Sequence, residues 1–173
     1  LSWELKADRA YESAKNQTYP CEVVVSRGET LMEARNLPVF RSEAKQVVFL
    51  DADDELSNDY VELMLQSNGD IRRPSTLGIV DGIKDDYPVM IPEKPIEKSN
   101  YIIIGAMANT EIFKKVGGFK DYPILEDWDL WIRMIQSGAS VEEVPEAIYM
   151  VNVRDDSRNK NIDLHSQIGR AHV

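Results

Sequence analysis

With 173 residues and 43% hydrophobic content the chain can bury one sizeable core, and its length argues for a single domain. A formal net charge of -10 disfavours nonspecific binding to nucleic acid or to an anionic membrane surface, and no apolar run approaches the length of a membrane span. One cysteine, Cys21, excludes an internal disulfide framework and fits a reducing, cytoplasmic compartment, while His165 and His172 lie too near the end to build a zinc site or a Ser-His-Asp triad elsewhere.

In chain order, Trp3 to Lys15 carries Trp3, Leu5, Ala7, Ala10, Tyr11 and Ala14 among charges, which predicts an amphipathic helix. Asn16-Gln17-Thr18-Tyr19-Pro20 ends it, and Cys21-Glu22-Val23-Val24-Val25 reads as a buried strand. After the loop Ser26-Arg27-Gly28, a helix is expected from Thr30 to Phe40, ended or kinked near Leu37 by Pro38. Gln46 to Leu50 is the central buried strand, Asp51 to Glu55 an acidic loop, and about Asn58 to Ser67 a helix stopped by Asn68-Gly69. Strand and helix in this alternation predict an α/β fold with a parallel sheet covered by helices.

From Asp70 to Asn100 the pattern weakens to short strands at Ile71, Leu77-Gly78-Ile79-Val80 and Pro88-Val89-Met90-Ile91, separated by proline-bearing loops. Arg72-Arg73 reads either as a phosphate contact or as an exposed edge pair. Tyr101 to Ile104 is expected to be a strand, and Thr110 to cap a short helix that stops at Gly117-Gly118. A helix opens at Glu126 and stops at Gly138, and Val141, Val144, Ile148, Met150 and Val151 supply a final strand or hairpin. The polar stretch from Val153 to Lys160 carries Arg154, Arg158 and Lys160, which either fold over a diphosphate or form a solvated tail. Ile168 to Val173 resembles a translated sequencing adapter, so the domain is drawn as 1–167 and 168–173 is set aside as a non-native tail.

Two acidic clusters carry the chemistry. In the first, a buried strand breaks into Asp51-Ala52-Asp53-Asp54-Glu55, and carboxylates crowded at a strand end need a cation or water to neutralise them. Mg²⁺ is commonly held by one or two carboxylates together with substrate phosphates, so the cluster reads as a metal-plus-nucleotide site at the sheet edge. The alternative is a solvated turn whose Ser57 or Asn58 caps the next helix. An EF-hand is discarded because its sixth loop position is Leu56 rather than Gly. In the second cluster, Glu126, Asp127 and Asp129 open a helix where the dipole favours negative charge, so a capped helix with Trp128, Trp131 and Met134 as core is the plain reading. That reading leaves three acids at one helix end without a purpose.

The order of motifs resembles the GT-A glycosyltransferases, specifically the family 2 type, over about residues 10–155. The residues that carry the likeness are Asn16 to Val25, Glu33-Ala34-Arg35-Asn36, Val48 to Asp54, Val116-Gly117-Gly118-Phe119, and Glu126 to Arg133. The resemblance implies a mixed, mainly parallel sheet flanked by helices in a domain that lacks the family's first strand. It implies a metal-dependent, inverting transferase of the hexosyltransferase type. Its donor would be a nucleotide-diphosphate sugar, its acceptor a saccharide or other hydroxyl, and its cofactor Mn²⁺ or Mg²⁺. Asp53 would ligate the metal, with Asp51 beside the ribose or the metal. Arg35 joins Asp51, Arg154 and Arg158 on the donor side. Asp127 would be the catalytic base, and Glu126 would position it or the acceptor. Ser26-Arg27-Gly28 stands where the family commonly has base-contacting aspartates, and Arg154-Asp155-Asp156 where it often has a metal-binding His. The rival expectations are a noncatalytic GT-A-like binding domain and a nucleotidyltransferase, although the Gly-rich basic loop of the latter is not visible.

Overall fold

Residues 47–50 alternate in the direction they are buried, as extended backbone requires, and so lie between two cores. Val47 and Phe49 pack into one cluster with Phe113, Phe119, Trp128 and Trp131, while Val48 and Leu50 pack into another with Tyr60, Met64 and Tyr149. The computed structural model describes residues 3–80, 83–86 and 95–152. Its helices are α1 (Trp3–Lys15), α2 (Leu31–Arg41), α3 (Tyr60–Gln66), α4 (Thr110–Lys115) and α5 (Glu126–Gln136). Its strands are β1 (Gln46–Val47), β2 (Glu55–Leu56), β3 (Ile71–Val80), β4 (Ile83–Asp86), β5 (Met107–Asn109) and β6 (Val141–Asn152), with a 3-10 turn at Ile96–Lys98. No helix among the described residues is long and apolar enough to cross a membrane.

The sheet is 6-stranded in the order β1-β5-β3-β6-β2, with β4 paired to β3. Among the described residues only β3 and β6 run parallel; β1–β5, β3–β5, β3–β4 and β2–β6 are antiparallel. The sheet is mixed, as the resemblance implies, but the pairings among the described strands are mainly antiparallel rather than mainly parallel, which corrects the expectation from the helix–strand rhythm. The rhythm misleads because β4 turns straight back from β3, and β5 returns antiparallel beside the same strand. Within β3, Pro74 donates no hydrogen bond, and the register to β6 shifts there, from Pro74↔Val144 to Ser75↔Ile148.

Local differences from expectation have local causes. Cys21–Val25 forms no strand, and Val24 and Val25 are 56% and 72% exposed: an apolar run becomes a strand only where a neighbour supplies ladder hydrogen bonds. Pro38 sits inside α2 without stopping it, three residues before its end at Arg41. Thr30 caps α2 as the pattern suggests, accepting from the Glu33 N–H. Tyr101–Ile104 is irregular, and the strand falls at Met107–Asn109. Asn109, not Thr110, caps α4, accepting from the N–H groups of Glu111 and Ile112. Arg72 and Arg73 are buried rather than exposed; Arg72 donates to the carbonyls of Gly69 and Met64, and Arg73 pairs with Glu143. Neither is a free phosphate contact.

Candidate active site

The first acidic cluster is a tight turn, closed by the Asp54 N–H donating to the Asp51 carbonyl at 3.0 Å. β2 leaves it immediately and pairs with β6, so the turn is fastened to the end of that strand. Asp54 points inward: its Oδ2 accepts from the Tyr149 hydroxyl at 3.0 Å and its Oδ1 from the Asn152 N–H at 2.9 Å. Burial pushes its carboxyl up to about 7 against the pull of those hydrogen bonds. Asp51 and Asp53 are half-buried, and Asp51 faces Arg35.

The second cluster opens α5. Leu125, just before the helix, adopts the left-handed conformation (φ 59°, ψ 24°), uncommon for a leucine, and turns the chain sharply into Glu126 and Asp127. Asp127 Oδ1 accepts from the Trp128 N–H at 2.8 Å. Burial, and then the adjacent Glu126 carboxylate, push Asp127 up to about 6, with the Trp128 N–H, Arg35 and Asn100 opposing. Asp129 turns away and pairs with Arg133 at 2.6 Å, and Arg133 in turn donates to the carbonyls of Val116 and Gly118.

Arg35 joins the two clusters. Its side chain, 8% exposed, donates to Asp51 Oδ1 at 2.6 Å and to Glu126 Oε1 at 2.8 Å, and its guanidinium lies over the Phe119 ring at 5.2 Å. Burial pulls its pKa down, but Asp51 and Glu126 outweigh that and raise it. Asn36, next to it on α2, exchanges two 2.9 Å hydrogen bonds with the Phe119 backbone. A side chain at Gly118 would begin 2.5 Å from Asn36 Oδ1, so that close approach needs glycine. The Arg-Asn pair thus links three of the sequence motifs: Arg35 to both acid clusters, Asn36 to the Gly-Gly-Phe segment.

A cavity of about 160 Å³ opens here, lined by Arg35, Asp51, Asn100, Ile104, Pro123, Ile124, Leu125, Glu126 and Asp127. Four residues named from sequence, Arg35, Asp51, Glu126 and Asp127, therefore face one space. Asp53, one residue further along the turn than Ala52, is not among the lining residues. Arg154 and Arg158 lie outside the described residues. Among the described residues no three His, Cys, Asp or Glu side chains group as a metal site made by protein alone. Sequence reasoning missed Asn100 and the pairing of Asp54 with Tyr149 and Asn152. The partners lie 95 and 98 positions away, and no local spacing signals them.

No protein-family model matches the chain, and no curated protein matches it. Solved structures do. S. aureus TarS 1-349 in complex with UDP-GlcNAc superposes with a TM-score of 0.70 at 14% identity, covering 99% of this chain and 59% of that one. The same protein in complex with UDP gives 0.68 at 14%, covering 87% of this chain and 57% of that one. A longer S. aureus TarS structure gives 0.67 at 15%, covering 87% and 35%. The likeness is one of fold: a mixed α/β domain similar to a glycosyltransferase domain. TarS is among the proteins to which it is similar, and the chain spans 57–59% of TarS 1-349.

Proposed function

We propose that this chain is a metal-dependent, inverting glycosyltransferase domain of the GT-A family 2 type, moving a sugar, of hexosyl class, from a nucleoside-diphosphate sugar to an acceptor hydroxyl. The observation that carries this reading is the convergence of Asp51 with Glu126 and Asp127 on one cavity, bridged by Arg35. The TarS structures hold UDP and UDP-GlcNAc, which supports a UDP-linked donor as the first to try.

Transfer needs three things of these residues. Asp127, with its carboxyl near 6, is largely ionised at neutral pH and still basic enough to take a hydroxyl proton as the acceptor oxygen attacks. The new bond forms from that oxygen to the anomeric carbon while the bond to the diphosphate oxygen breaks and its electron pair leaves with the nucleoside diphosphate. Glu126, pinned by Arg35 at 2.8 Å, stands beside Asp127 and orients that base or the acceptor. Asp51 and Asp53 offer hard oxygen donors on one turn and would hold Mn²⁺ or Mg²⁺, whose other ligands would come from the diphosphate and water. When bound, that ion would supply Lewis-acid neutralisation of the leaving diphosphate. Arg154 and Arg158 are assigned to the diphosphate from sequence alone. The exposed thiol of Cys21 is consistent with the cytoplasm as the compartment.

One observation favours the noncatalytic reading: the cavity, about 160 Å³, is smaller than the roughly 300–1,000 Å³ typical of a small-molecule site. It has room for reacting groups rather than a whole donor. A thermal-shift panel of nucleoside diphosphates with Mn²⁺ separates the two. A true donor site, at a hundredfold excess over Kd, adds about 2.7 kcal/mol to folding stability. No shift with any nucleoside diphosphate would leave the binding-module reading in place.

A further inference from the structure

We infer that Tyr149 and Asn152, acting through Asp54, are positioning residues that hold the Asp51–Asp53 turn in shape for a nucleoside diphosphate, an inference that rests on the proposed function. Four hydrogen bonds tie the end of β6 to that turn. The Asp51 N–H donates to the Tyr149 hydroxyl at 3.3 Å, and the hydroxyl donates to Asp54 Oδ2 at 3.0 Å. The Asn152 N–H donates to Asp54 Oδ1 at 2.9 Å, and the Asn152 amide donates to the Asp53 carbonyl at 2.5 Å. A hydroxyl has one proton, and here Asp54 takes it, which leaves a lone pair of the oxygen for the Asp51 N–H. The two backbone N–H groups and the Asn152 side-chain amide nitrogen can only donate, so it is the hydroxyl of Tyr149 whose direction Asp54 sets.

The seat of Tyr149 is built for this purpose. Its ring lies against Gly105 so closely that a Cβ there would sit 2.1 Å from ring carbon Cδ2, and Tyr60 donates from the other side to the Gly105 carbonyl at 2.6 Å. Tyr149 is 1% exposed and Tyr60 0%, so neither hydroxyl has bulk water as an alternative partner. Besides these bonds, the turn is closed by the backbone bond from Asp54 to Asp51 and held at its start by Arg35 on the Asp51 carboxylate. Asp54, Tyr149 and Asn152 do not themselves line the cavity, and the latch reaches it through the backbone N–H of Asp51.

The test is isothermal titration of UDP in the presence of Mn²⁺ into the parent, Tyr149→Phe and Asn152→Ala, beside a melting curve for each. Tyr149→Phe keeps the ring packing and removes both hydroxyl bonds; Asn152→Ala keeps the backbone bond to Asp54 and frees the Asp53 carbonyl. The expected result is a Kd for UDP raised about tenfold in Tyr149→Phe and severalfold in Asn152→Ala, at temperatures where both are folded. Asp54→Asn should do the same, because an amide offers a donor where the carboxylate accepted. Variants that melt earlier but bind UDP like the parent would overturn the latch and leave the transferase reading standing. A parent that binds neither UDP nor any other nucleoside diphosphate would overturn both.

Discussion

The two acidic corners are built alike and neutralised differently. Each faces the cavity, with Asp51 in the first and Glu126 and Asp127 in the second, and each turns one acid inward: Asp54, 7% exposed, and Asp129, 6% exposed. Asp129 meets a cation, Arg133, whose other donors hold the Val116 and Gly118 carbonyls. Asp54 meets only neutral donors, the Tyr149 hydroxyl and the Asn152 N–H. A carboxylate paired with a guanidinium can stay charged in a protein interior, whereas one held by neutral donors still bears much of its desolvation cost. The second corner is thus a fixed ionic joint beneath a helix, and the first a hydrogen-bonded turn whose inward acid sits near the edge of ionisation. Arg35 is the contact through which the two corners meet.

The largest expected effect comes from cutting that contact. Arg35→Met leaves Asp51 and Glu126 facing one cavity without a counter-charge and should cost about 3 kcal/mol in a urea titration, together with loss of nucleotide binding. Arg133→Met should cost a comparable amount of stability and leave nucleotide binding intact in the folded fraction. If both variants lost binding equally, the corners would not be functionally distinct.

A smaller effect is a pH dependence set by the first corner and by Asp127. Both carboxyls have folded pKa values raised above their ordinary range, to about 7 for Asp54 and about 6 for Asp127. Between those values and the unfolded value near 3.8, the folded state holds protons that the unfolded chain has released. Stability of metal-free protein should therefore rise as the pH falls from about 7 toward 4, by several kcal/mol at most, and then decline. The decline begins as the carboxylates held low in the fold, Asp70 by Ser140 and Glu142 by Ser67, are protonated. Asp54→Asn should remove the larger share of the rise, and an unchanged slope in that variant would show that the inward acid is not the titrating group.

The helices were legible because their signals are local: α1 and α5 follow from apolar spacing, and α2 from a capping threonine. The cavity-facing acids were legible from the order of the motifs, since each cluster taken alone also fits a solvated turn or a capped helix start. The sheet was not, since strand direction depends on which edge a returning segment finds, and Val23–Val25 carries strand-like residues without a pairing partner among the described residues. Tyr149 was invisible for a related reason: in sequence it is one more apolar residue of a strand, and only packing against Gly105 aims its hydroxyl at Asp54.

The central claim is that Asp127 takes a proton in sugar transfer within a cavity shared with the donor-side turn. It is tested most directly by Asp127→Asn, measuring UDP affinity with Mn²⁺ and turnover of UDP-GlcNAc, to an acceptor or to water, on the same preparation. Parent-like UDP affinity with turnover reduced at least a hundredfold is the predicted result. Turnover equal to the parent's, with binding intact, would contradict it.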